Sequence, residues 1–140
     1  MNGVDDLIAF VRARLDEDEE RATKLLEISR QAIEMLKDPR LLGRVIPGWH
    51  SWPDVEAMSS RVLREVEAKR AIVAEYETAV ETMNTQIAER LPGPMAGDVY
   101  LVADPAVLAE VSALSVVVGQ IAAVSNDHPD YKPEWAPAQN

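Results

Sequence analysis

Residues 54–91 read DVEAMSSRVLREVEAKRAIVAEYETAVETMNTQIAERL. The stretch holds no glycine and no proline, and prolines stand just outside it at Pro53 and Pro92. Apolar or long side chains recur at Val62, Val66, Lys69, Val73, Tyr76, Val80, Met83 and Ile87. Steps of four and three residues bring such positions onto one helix face, so the spacing predicts a single helix with a heptad seam. At the α-helical rise it would run about 55 Å. Met58, Leu63 and Ile72 widen the seam, which implies more than one packing neighbour.

Working outward, residues 4–38 carry a second helical stripe through Val4, Ile8, Val11, Leu15, Ala22, Leu25, Ala32 and Leu36. Acids at Asp5 and Asp6 suit a helix N-terminus, and Asp38-Pro39 marks its end. Residues 40–53, RLLGRVIPGWHSWP, form an irregular but apolar connection. A second break spans residues 91–105. Asp104-Pro105 then opens a third, shorter helix over residues 105–125, the most apolar of the three. Glu110, Ser112, Ser115 and Gln120 interrupt it, so it is read as a buried helix and not as a membrane span. Residues 126–140 form a proline-rich, irregular tail. The expected architecture is all-α in one domain, 1–140. It has a long antiparallel helical hairpin (4–38 and 54–91), a third shorter helix and an irregular C-terminal tail packed on the body.

The chain has 140 residues and a formal charge of −10. Such a surface repels phosphate backbones, so direct nucleic-acid binding is not expected. With no cysteine, disulfides, thiolate catalysis and cysteine-based zinc sites are excluded. The N-terminus lacks the basic and apolar regions of a signal peptide, so a cytoplasmic location is expected. No cofactor and no metal are expected.

Three constellations stand out. The acid run 16–20 includes an E-x-x-E at Glu17 and Glu20, a fragment of the magnesium site of all-helical nucleotide pyrophosphohydrolases. The companion E-x-x-D on the next helix is missing. Pairs at helical spacing (Arg12 with Asp16, Glu17 with Arg21, Glu20 with Lys24) favour a solvated, salt-bridged face instead. The two histidines, His50 and His128, lack the carboxylate spacing of a helical metal site. Arg61, Arg64, Lys69 and Arg70 form the densest basic patch. The tail acids, Asp130 among them, could clamp across it; alternatively it is an anion or partner site with Trp49, His50, His128, Tyr131 and Trp135 nearby.

Three segments resemble the small actinobacterial and actinophage proteins classed as a domain of unknown function. They are DLIAFVRARLDEDE (6–19), RVLREVEAKRAIV (61–73) and DHPDYKPEW (127–135). The tail motif D-H-P-D-Y-x-x-E-W and the helical E-V-E-A-K-R carry most of the likeness. Relatives often have a longer polar middle, sometimes with paired cysteines; here a hydrophobic helix stands in that place. The resemblance implies no activity and no metal, and it draws attention to the same basic helix and acidic tail.

The reading that follows is a non-enzymatic accessory or interaction protein with a protein partner. One alternative is an acidic inhibitor of a host nucleic-acid-binding protein. The other is a ligand-binding or enzymatic domain using the Arg61 to Arg70 patch. Because the third helix is too short to cover the whole hairpin, Leu25, Leu26, Ile28, Ile33, Met35 and Leu36 need another cover: either residues 40–53 fold back over them or, the favoured expectation, they form a homodimer interface.

Overall fold

The computed structural model describes residues 3–40, 51–90 and 103–137. Three helices account for most of them: α1 at Gly3–Leu36, α2 at Trp52–Arg90 and α3 at Pro105–Ala123. A single 3-10 turn follows at Pro133–Trp135. No strand occurs among the described residues. α1 and α2 pack most extensively on each other. Arg12 meets Glu77 at 2.8 Å and Arg30 meets Glu56 at 3.8 Å. Numbers rise along α1 as they fall along α2, so the two helices are antiparallel.

The helix ends follow local chemistry. α1 stops at Leu36 with two tight bonds, Lys37 N–H to Glu34 O and Asp38 N–H to Met35 O. The Asp38 carboxylate then accepts from the Arg40 backbone N–H at 2.9 Å and from its guanidinium. Those bonds hold the Asp38 carboxyl below its ordinary range. α2 begins at Trp52, two residues before the expected start, because proline is tolerated in a first helical turn and Pro53 sits there. α3 starts as expected: Asp104 caps it by accepting from Ala106 N–H at 2.9 Å, and Pro105 occupies the first turn.

Burial on the two long helices repeats every seven residues. Ile8, Leu15, Ala22 and Ser29 are buried on α1, and Ser59, Val66 and Val73 on α2. The chain divides into two compact units. One joins Met1–Ala13 to Lys69–Asn140, and the other is Arg14–Ala68. In the first unit, Leu7, Phe10 and Val11 of α1 are buried, with Val73, Tyr76 and Ala79 of α2 and Val118 and Ala122 of α3. In the second, Leu15 and Val66 are joined by small residues, Ala22, Ser29 and Ser59. Ser29 is fully buried, and its hydroxyl donates to Leu26 O at 2.8 Å, so its polar group is satisfied.

Two expectations change. Leu25, placed on the inward stripe of α1, is 49% exposed; the seven-residue repeat runs through Ser29 instead, a position that apolarity alone cannot mark. α3, read as a buried helix, has only 17% of its apolar window buried. Val118, Gly119 and Ala122 are its buried residues, while Val116, Val117 and Val124 stand exposed.

Candidate functional site

After α3 the chain unwinds through successive i to i−3 bonds. Ser125 N–H bonds Ala122 O, His128 N–H bonds Ser125 O, and Tyr131 N–H bonds His128 O. This winding, broken by Pro129 and Pro133, puts residues 128, 131 and 135 on one side. All three rings meet Phe10, which is 6% exposed. The centroid distances are 5.7 Å to His128, 5.9 Å to Tyr131 and 5.1 Å to Trp135. Tyr131 and Trp135 also meet edge to face at 5.8 Å. These tilted and edge contacts are the geometries that ring quadrupoles favour. His128 Nδ1 accepts from Asp130 N–H at 3.1 Å, which fixes the imidazole.

One ion pair ties the tail to the first turns of α1. Lys132 Nζ lies 2.7 Å from Asp6 Oδ2 and 5.6 Å from the Trp135 ring centroid. The hydrogen bond from Lys132, then its charge, hold the Asp6 carboxyl below its ordinary value of 3.8. The same bond holds the Lys132 ammonium above its ordinary 10.5. A lowered carboxyl contributes stability that is complete above 3.8 and lost as pH falls through its depressed value. A raised ammonium contributes stability that is complete below 10.5 and lost as pH climbs through its raised value. The latch is therefore intact across the neutral range and weakens at both extremes. Asp6→Asn is expected to lower the melting temperature at neutral pH and to leave it nearly unchanged at strongly acid pH. Thermal melts of both proteins across pH check this.

Between the first turn of α1, Tyr76, residues 115–119 of α3 and residues 134–137 lies a cavity of about 260 Å³. Gly119 belongs to this wall. A Cβ built there would sit 3.1 Å from the Trp135 carbonyl oxygen, tighter than an ordinary contact, so glycine lets the tail lie close against α3.

The tail residues His128, Tyr131 and Trp135 thus come together on Phe10. Phe10 was not singled out by the sequence reading; the 3–4 spacing of the tail rings is the signal that a ring-binding partner exists. Asp130 stays by His128, 3.9 Å from Nδ1. Of the basic patch, Arg61 is exposed and bonds Glu65 at 3.1 Å, and Arg64 is exposed. Lys69 and Arg70 are half-buried. Arg61 and Arg64 belong to the second unit, Lys69 and Arg70 to the first. Trp49 and His50 lie outside the described residues. The acid run is engaged in helical pairs: Glu17 with Arg14 and Arg21, Asp18 with Arg21, Glu20 with Lys24. Arg12 reaches across to Glu77 on α2. No group of three histidine, aspartate or glutamate side chains among the described residues converges on a point where a metal ion could sit.

Apolar exposure is the other surface feature. In the second unit Leu25, Ile28 and Met35 are 49%, 49% and 55% exposed, whereas Leu26, Ile33 and Leu36 are half-buried. On α3 the exposed positions 106, 109, 113, 116, 120 and 124 follow a helical repeat, and Gln120 is the one polar residue among them. α3 carries a single charged side chain, Glu110. By length and composition alone it is long and apolar enough to cross a membrane.

A model for a family of unknown function (DUF6221) matches residues 4–137. The chain belongs to that family. The match takes in the three helices and the tail through its ring cluster. No curated protein and no solved structure matches the chain.

Proposed function

We propose that this family member is a small, non-enzymatic helical interaction protein, acting in the cytoplasm of an actinobacterium or of a phage-infected host, and that its exposed α3 face takes a protein partner. The observation that carries this is α3 itself, the most apolar helix and one with 17% of its apolar window buried. A monomer rarely leaves a contiguous apolar surface beyond a few hundred Å² uncovered. A nineteen-residue helix offers about 28 Å of it. A protein partner suits this face better than a bilayer does. Val118, Gly119 and Ala122 are already committed to the protein interior, and the net charge of −10 opposes approach to anionic lipid.

Site-specific photo-cross-linking tests the reading. A photoreactive residue at Val117 is expected to give one adduct of discrete mass in native cells, and the same residue at exposed Thr82 none. Absence of any adduct at both Val116 and Val117 contradicts it. The basic patch as a ligand site, and the protein as an acidic inhibitor, remain the competing readings; the identity of the adduct separates them.

The exposure of Leu25, Ile28 and Met35 supports a second contact, the homodimer interface. Leu25→Glu with Ile28→Glu is expected to shift a dimer mass to a monomer mass in light scattering at micromolar concentration, with helix content retained. These side chains are half-exposed, so the substitution itself alters stability by about 0.5 kcal/mol or less. A wild-type monomer mass that is unchanged on concentration excludes this contact.

A further inference from the structure

Taking the α3 face as a docking surface, as proposed above, we infer that its occupant is a basic amphipathic helix of another protein. The charges around the face carry this. From residue 103 to residue 137 the chain holds Asp104, Glu110, Asp127, Asp130 and Glu134 against a single lysine, Lys132, and no arginine. All of those acids are exposed. Lys132 stands near Glu134 but is bonded to Asp6 at 2.7 Å, so Asp6, Lys132 and Glu134 together still carry a negative charge.

The acids frame an uncharged middle. Asp104 caps the start of α3, and Asp127 follows its end. Glu110 lies two turns before Val117, on the same side of the helix, and both are exposed. Glu134 lines one groove with Val116. Between them Ala109, Ala113, Val116 and Gln120 are exposed at steps of four, three and four, the spacing of a seam that receives another helix. A second copy of α3 does not answer this frame. Parallel pairing sets Glu110 beside Glu110, and antiparallel pairing sets Asp104 beside Asp127; like charges brought together this way are unfavourable. A helix with an apolar stripe and lysine or arginine toward both ends meets the seam and the acids together.

The test is an amide NMR titration of the full chain with a synthetic amphipathic peptide about 18 residues long. It carries leucine and alanine in a heptad stripe and lysines at both ends. The same peptide with glutamate in place of every lysine is the comparison. Saturable shifts are expected at the amides of Ala109, Ala113 and Val116. Affinity for the lysine peptide should exceed that for the glutamate peptide by roughly tenfold at low salt, and the gap should narrow as salt is added. Glu110→Lys, at an exposed position, should weaken the lysine peptide by about threefold and strengthen the glutamate peptide. Val116→Asn leaves the charge unchanged and alters a side chain that is 54% exposed; it should weaken both peptides. Equal affinities that both fall in Val116→Asn overturn the basic partner and leave the docking face standing. Lysine-peptide binding that neither Glu110→Lys nor Val116→Asn alters overturns the placement on α3. No saturation with either peptide into the millimolar range overturns the helical partner, while cross-linking at Val117 still decides whether any protein meets the face.

Discussion

Phe10→Ala is expected to destabilise the protein by about 3–5 kcal/mol. Phe10 is 6% exposed and is the ring on which His128, Tyr131 and Trp135 all rest. Its removal takes away a large apolar side chain, leaves a cavity and withdraws three ring contacts together. Domains of this size hold only about 5–15 kcal/mol in total. The melting temperature should therefore fall by on the order of 10 °C. Phe10→Leu keeps most of the volume and should recover much of the loss. A variant Phe10→Ala that melts within a degree of the parent would mean that the tail rings do not rest there in solution.

Deleting residues 127–140 is expected to have an effect of comparable size. The deletion removes the three rings and the Lys132–Asp6 latch, and it uncovers Gly119 and the neighbouring surface of α3. Short proline-bearing termini are normally poorly ordered unless tied down; here an ion pair and a ring cluster tie this one. Combining the deletion with Phe10→Ala should cost clearly less than the two losses added, because both remove the same contacts. Simple additivity in the double variant would show that tail and Phe10 stabilise the fold separately.

The long helices were legible because their cues are local. Residues 54–91 lack any breaker, and Val66, Val73 and Tyr76 fall at the predicted seam positions and are buried. Asp38-Pro39 and Asp104-Pro105 marked real helix ends. The first helix was read less well beyond Leu15. There the inward positions are Ala22 and Ser29, small residues that allow close helix approach, while the larger Leu25 and Ile28 point outward. An apolarity rule placed Ala22 correctly but picked the large Leu25 for the inward stripe and passed over Ser29. The same limit applied to α3. Its composition is that of a core helix, but burial depends on how many neighbours reach it, which no local pattern encodes.

The tail was legible in part. Its D-H-P-D-Y-x-x-E-W motif stood out, and the expectation that Tyr131 and Trp135 pack on the body agrees with their contacts to Phe10. The structure adds an ion pair of the opposite sense to the expected meeting of tail acids and helical arginines: the cation, Lys132, is on the tail and the acid, Asp6, on α1. Asp6 sits in an acidic first turn, where a helix-terminus role already explained it. The cavity was invisible beforehand, since it depends on Tyr76, Ser115 and Glu134 meeting from three separate segments.

The most direct test of the proposed function is quantitative affinity purification from native cells at native abundance. The parent is compared with Val117→Lys, and with Leu25→Lys as a control on the other exposed face. The account predicts one near-stoichiometric partner protein that is lost with Val117→Lys and retained with Leu25→Lys, while both variants keep the parent's helix content. A partner recovered equally with all three proteins, or Val117→Lys protein released from a lipid fraction that holds the parent, would contradict it.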